Sequence, residues 1–397
     1  MSLISHMKDL KHKIKKFIEN EKYQGIEWII QNKDNVYFDR VGYLDLESKT
    51  PFPENTIYRI WSMTKPIISI VILQMIEEKK INLNDPINLY LPIFSNLTVL
   101  ENNYSSIKDI KKADTLPTIK NLLLHTAGFS YNFLGDLIGN EYHNLQLFYS
   151  ENTTLEEEIN SLATIPLLYE PDSRWVYSVS IDILARIIEI VSQNSLEFEL
   201  KQRIFDPLKM ENTAFSIKKE DVPKLMTSYH YDETTNKLIP PNVNPRYISN
   251  YGYPLHNKKF SRGGIGLYST TNDYMKFVNM LRKGRSDDNI SIISKETLNQ
   301  AIQNQISLSF LPFEIKNFDV EYLTENLFDP YGWGYGFRTL MKETKFKNKG
   351  EFGWSGAAST YFMVDQKNSI TAVLMTQVFQ GDPNLHKEFY DFIYSNM

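Results

Sequence analysis

The chain has 397 residues, of which 42% are apolar and 23% charged, with a formal net charge of -5 and no cysteine. This length supports a large core, and the composition is that of an ordinary soluble globular protein rather than a disordered one. The slightly acidic balance offers no general pull toward nucleic acid, and the lack of cysteine excludes disulfides, thiolate metal sites and a cysteine nucleophile.

The first predicted element is an amphipathic helix with Leu10, Ile14, Phe17 and Ile18 on one stripe, suited to packing on a sheet rather than anchoring in a membrane. Its basic run, Lys8, Lys11, Lys13, Lys15 and Lys16, leads into Glu19-Asn20-Glu21 rather than into the apolar core of a signal peptide. The longest apolar run, Ile67 to Ile76, is too short to span a bilayer. A cytoplasmic protein with no membrane span is therefore expected.

Ile26 to Ile30 and Val36 to Val41 flank the turn-forming Asn32-Lys33-Asp34-Asn35 and predict an antiparallel hairpin. Next comes Ile60-Trp61-Ser62-Met63-Thr64-Lys65-Pro66, at the mouth of the run from Ile67, which is apolar on nearly every face and so predicts a core helix. Ser62 is placed in its first turn, where free backbone N–H groups and the positive end of the helix dipole favour a developing oxyanion. Lys65, three residues on, shares that helix face, and a desolvated lysine amine can accept the serine proton. Ser-x-x-Lys alone is a weak signal, and this spacing by itself favours the ordinary reading, Ser62 as an N-cap and Lys65 as a solvated charge.

Helices are predicted at Ile119 to Leu124, at Ile181 to Ser192, and at Asn272 to Leu281, the last with Thr270 and Asp273 in capping-box spacing and Gly284 as its stop. His125 is expected to hydrogen-bond its own loop. Tyr177, in the loop leading to the second of these helices, is a candidate proton carrier, its pKa drawn down by a neighbouring ammonium; an aromatic staple is the alternative. The segment Tyr229 to Tyr253, rich in Asn, Tyr and Pro, reads as long loops lining a site or moving. Arg262-Gly263-Gly264-Ile265-Gly266 lacks the strand and lysine of a phosphate loop and is assigned to backbone packing.

Phe352 to Ser359 opens a strand whose small residues let a substrate lie close to the main chain, or else mark a bulge. Ser359 to Val364 and Ile370 to Met375 form a second predicted hairpin about Asp365 to Asn368, and Pro383 opens a terminal helix carrying Leu385, Phe389, Phe392 and Ile393. Tyr131, Trp333 and Tyr335 stand near glycine-rich loops as candidate pocket residues. No His-Glu-x-x-His or comparable cluster points to a metal. The predicted architecture is α+β: one antiparallel sheet, drawn from about residues 1–60 and 330–397, flanked by helices and carrying an inserted, mostly helical region at about 61–329, all within a single domain.

Ser62-Met63-Thr64-Lys65, Tyr177-Ser178-Val179 and Trp354-Ser355-Gly356, in this order, resemble the motifs of the serine β-lactamase-like superfamily, which includes penicillin-binding DD-peptidases and family VIII carboxylesterases. The likeness extends through Asn84 to Ile87, Leu122 to Tyr131, Ile204 to Met210, Gly263 to Asp273 and Leu374 to Gln377. It implies a site in the groove between sheet and helical region, with Ser62 acylated, Lys65 as its base, Tyr177 as proton shuttle and the Ser62 and Ala357 N–H groups as oxyanion hole. Trp354, Ser355, Gly356 and Tyr131 would contact substrate, and no cofactor is implied. Val179 stands where many lactamases and peptidases carry an amide, and Trp354 where they carry a cation for the substrate carboxylate. A site lacking both should prefer small neutral esters. The alternatives are a β-lactamase or DD-peptidase-type amide hydrolase, and a binding or assembly protein that kept the scaffold and lost turnover.

Overall fold

The computed structural model describes residues 3–102, 106–240, 255–256, 259–310, 331–344 and 347–396. Its centre is a seven-stranded sheet made of β1 (Gly25–Asn32), β2 (Asn35–Gly42), β3 (Tyr331–Trp333), β4 (Arg338–Leu340), β5 (Phe352–Ser355), β6 (Tyr361–Asp365) and β7 (Ile370–Met375). The spatial order is β2-β1-β7-β6-β5-β4-β3, and every neighbouring pair is antiparallel. Both predicted hairpins are present, β1 with β2 and β6 with β7, and β1 zips against β7 from Glu27–Met375 to Asn32–Ile370.

Alternation along β1 explains why this sheet lies between two layers of helix. Ile26, Trp28 and Ile30 face a core completed by the N-terminal helix Leu3–Glu19 and the C-terminal helix Asn384–Asn396, whereas Ile29 belongs to the larger core on the other face. On that second face, the helix Thr271–Lys283 packs against β7, β6 and β1. The predicted core helix is Thr64–Glu77, with every residue from Thr64 to Met75 buried.

Three local expectations are corrected. Thr270 accepts from the Asp273 N–H as a cap should, but the Asp273 carboxylate accepts instead from the Asn212 N–H at 2.6 Å, so tertiary contact takes half of the capping box. Ser359 and Thr360 precede the strand: Ser359, at φ +63°, closes a turn by donating to the Gly356 carbonyl, and β6 starts at Tyr361. The stretch from Tyr229 starts as strand, Tyr229–Asp232 pairing with Lys237–Ile239 and, in parallel, with Val378–Phe379, since its alternating aromatics suit a ladder; residues 241–254 lie outside the described set.

Candidate active site

Ser62 lies in a single 3-10 turn, Trp61–Met63, that feeds into the α-helix at Thr64, rather than in the α-helix itself. In a 3-10 turn residues i and i+3 eclipse, which places Lys65 over Ser62 more directly than α-helical spacing would. The turn is entered through Trp61 at φ +49°, a left-handed conformation that costs a bulky residue about 1–2 kcal/mol. Trp61 is buried and stacks edge-on against Phe379 at 4.9 Å, a contact that helps hold it there.

Lys65 Nζ stands 3.1 Å from Ser62 Oγ and 2.8 Å from the Gly264 carbonyl oxygen. The side chain is 1% exposed, and burial lowers its pKa to about 7 against the opposing charge of Asp182. Its amine also lies over the rings of Tyr177 at 4.8 Å and Tyr131 at 5.0 Å. A neutral amine that donates to the Gly264 carbonyl and has a serine hydroxyl 3.1 Å away is arranged to take a proton.

Tyr177 hydrogen-bonds Ser62 and receives the Trp354 indole N–H at 3.4 Å. Burial pushes its phenol well above the ordinary tyrosine range, and the Ser62 and Trp354 bonds only partly offset this. The expected lowering is therefore corrected: desolvation wins, and Tyr177 is a neutral phenol. Its loop is anchored across the groove, with the Val176 N–H donating to the His125 carbonyl and the Val179 N–H to the Ser130 carbonyl. His125 does not bond its own loop but receives the Ser178 N–H on Nδ1 at 3.2 Å, its ring 4.8 Å from Tyr177. Burial and the Lys65 charge hold this imidazole well below its usual pKa, hence neutral.

The third motif closes the far side. Gly356 lies so close to the Trp61–Met63 turn that a Cβ there would meet the Ile60 carbonyl oxygen at 2.6 Å, which brings the end of β5 against Trp61-Ser62. Ala357 follows in an exposed turn and Ser355 is half-buried. Tyr131 is buried with its ring 5.3 Å from Tyr177, and Trp333 meets Trp354 edge-on at 4.6 Å. Tyr335 turns its hydroxyl to Gln305 instead.

Two participants escaped the sequence reading. The sequence assigns Arg262 to Gly266 to packing, yet Gly264 bonds Lys65 through its carbonyl and Asp182 through its N–H at 2.9 Å. Asp182 is 1% exposed, and its signal was present: an acid between Ile181 and Ile183 at the start of a core helix. Among the described residues there is no group of three or more histidine, aspartate or glutamate side chains placed to hold a metal, and no helix long and apolar enough to cross a membrane.

Comparison with known proteins places the chain in one family. The chain is 22% identical to Esterase EstB of Burkholderia gladioli, covering 89% of this chain and 85% of that protein. It is 25% identical to Lovastatin esterase of Penicillium rubens over 82% and 80% of the two chains. In three dimensions it superposes on EstCE1, described as a hydrolase with promiscuous acyltransferase activity, with a TM-score of 0.82 and 23% identity over 99% of both chains. The Beta-lactamase family model matches residues 10–392, so nearly the whole chain is accounted for by one family. The protein belongs to the beta-lactamase family and is a serine hydrolase with esterase relatives.

Proposed function

We propose that the protein cleaves small carboxylic esters through an acyl-enzyme on Ser62. The observation that carries this reading is the buried Lys65 amine 3.1 Å from Ser62 Oγ, its pKa lowered to about 7. Neutral Lys65 takes the Ser62 proton as Oγ attacks the ester carbonyl, and the Ser62 and Ala357 N–H groups receive the oxyanion. Tyr177, bonded to Ser62, passes a proton to the departing alkoxide as the carbonyl–oxygen bond breaks and is reprotonated from Lys65. Water then attacks the acyl group with the same residues acting in reverse, releasing the acid and restoring the serine. Trp354, Ser355, Gly356 and Tyr131 line the substrate's path.

Preference for esters over lactams and peptides rests on two side chains. Val179 is buried and its only polar groups are backbone, with the N–H used by Ser130, so it offers no amide to a substrate. Trp354 supplies an indole N–H to Tyr177 where a cation would meet a carboxylate. The names of EstB and Lovastatin esterase add support for ester chemistry.

The test is turnover of short-chain p-nitrophenyl esters beside a chromogenic cephalosporin, with fluorophosphonate labelling mapped by mass spectrometry. Ester turnover and a Ser62 adduct are expected. Fast lactam hydrolysis with inert esters would overturn the substrate class, and a folded protein that takes no label would favour a binding role.

A further inference from the structure

Asp182 is an acid with no assigned task in the deepest part of this site. It opens the helix Ser180–Ser192, is 1% exposed, and accepts from the Gly264 N–H at 2.9 Å and from the Gly263 N–H. The Gly264 carbonyl, on the same residue, accepts from Lys65 Nζ at 2.8 Å. The fit is close: a Cβ on Gly264 would sit 2.5 Å from Asp182 Oδ2 and 2.4 Å from the Tyr131 hydroxyl, so both side chains would have to shift to admit one. Carboxylate, glycine peptide and amine thus form one tightly packed chain.

We propose that Asp182 is a positioning residue for Lys65: gripped by the two glycine amides, its carboxylate holds the Gly264 carbonyl against the amine and supplies the buried negative charge that the protonated amine faces. This rests on the reading of Lys65 as the base. Lys65 faces Ser62 on its own turn, Tyr177 and Asp182 from the loop and helix opposite, and Tyr131 and His125 from the segment after residue 124. Asp182 in turn faces Arg262, which pairs with Glu158 at 2.9 Å, and the Tyr149 phenol. Burial pushes the Asp182 carboxyl up, while the Gly264 amide, Lys65, Arg262 and the Gly263 amide favour its ionised form. Both backbone partners are donors, which favours the ionised carboxylate over the acid.

A nearby carboxylate favours the charged amine, so it raises the Lys65 pKa against the desolvation that lowers it. Removing that charge lets the amine stay neutral at lower pH. In Asp182→Asn the acid limb of kcat/KM for p-nitrophenyl acetate should move down by about one pH unit, with the plateau falling about tenfold as the amine loses its fixed position. Asp182→Glu, which keeps the charge, should keep the wild-type limb. An unmoved limb in folded Asp182→Asn overturns the proposal, and so does a limb displaced downward in Asp182→Glu. If the asparagine variant does not fold, Asp182→Ser, which removes the same charge with a smaller side chain, decides in its place, a limb moved down supporting the proposal and an unmoved one overturning it. Lys65→Ala separates the two levels. Full turnover in that variant would remove the base itself, whereas a dead Lys65→Ala beside an unmoved Asp182→Asn limb removes only the role of Asp182.

Discussion

Lys65 and Lys347 are both lysines whose pKa is lowered by burial, yet only Lys65 stands beside an aliphatic hydroxyl. Both amines lie over tyrosine rings, Lys65 above Tyr177 and Tyr131, Lys347 above Tyr390 at 3.7 Å and Tyr331 at 5.5 Å. Burial lowers both, to about 7 and about 8. The hydroxyl nearest Lys347 is the Tyr331 phenol at 3.0 Å, which donates to Glu351, itself also bonded by Tyr390. That cluster lies on the sheet face of Arg338, Gly353 and Met363, beneath the C-terminal helix, while Trp354 and Phe362 present the opposite face to the site. A desolvated lysine is therefore not by itself a candidate base. What Lys65 has in addition is an aliphatic hydroxyl at 3.1 Å, on a turn whose far wall is the exposed Ala357.

The sharpest break of this comparison is Ser62→Ala. Ester turnover should fall by about 10⁴-fold or more, with unfolding free energy changed by no more than about 1 kcal/mol; retained turnover with an unaltered melting curve would remove the mechanism. Substituting the two lysines tests the pairing directly. Lys65→Ala should lose about 10³-fold in kcat while Lys347→Ala stays within about twofold of wild type, and equal losses would mean that the two clusters are not functionally distinct. A third measurement concerns the ion pair behind the site. Arg262 and Glu158 are both buried, so Glu158→Ala removes the carboxylate paired with the guanidinium and should cost about 3 kcal/mol in urea unfolding; a change below about 1 kcal/mol would mean that Asp182 and the backbone carbonyls around Arg262 hold its charge without Glu158. The smallest effect is the pH dependence of the wild type. Because the base must be neutral, kcat/KM should rise about tenfold per pH unit below about 7 and level off above it as Lys65 loses its proton; a flat profile from pH 5 to 8 would exclude Lys65 as the titrating group.

Features whose cause is local were legible in the sequence. Asn32 to Asn35 joins strands that pair directly, the run from Ile67 is buried on all sides, and Gly284 takes the left-handed φ of +75° that ends its helix. Ser62 and Lys65 were found because three residues of helical chain bring them together wherever the helix goes. Legibility stopped where a residue had two partners to choose from. Asp273 has the spacing of a capping box and spends its carboxylate on Asn212; His125 has its own loop at hand and bonds Ser178, 53 residues away. The direction of the Tyr177 shift was misjudged for the same reason, since burial is a property of the whole fold and here outweighs neighbouring hydrogen bonds.

By itself, then, the sequence determined the hairpins, the core helix and the ordered trio of motifs, because hydrophobic period, turn residues and short spacings act over a few residues. Only the tertiary structure decided that a glycine carbonyl 199 residues from Lys65 would fix its amine, and that an acid 82 residues from that glycine would stand behind it. Such contacts depend on how layers of sheet and helix close over one another, and the strength of a charge depends on the water that closure removes.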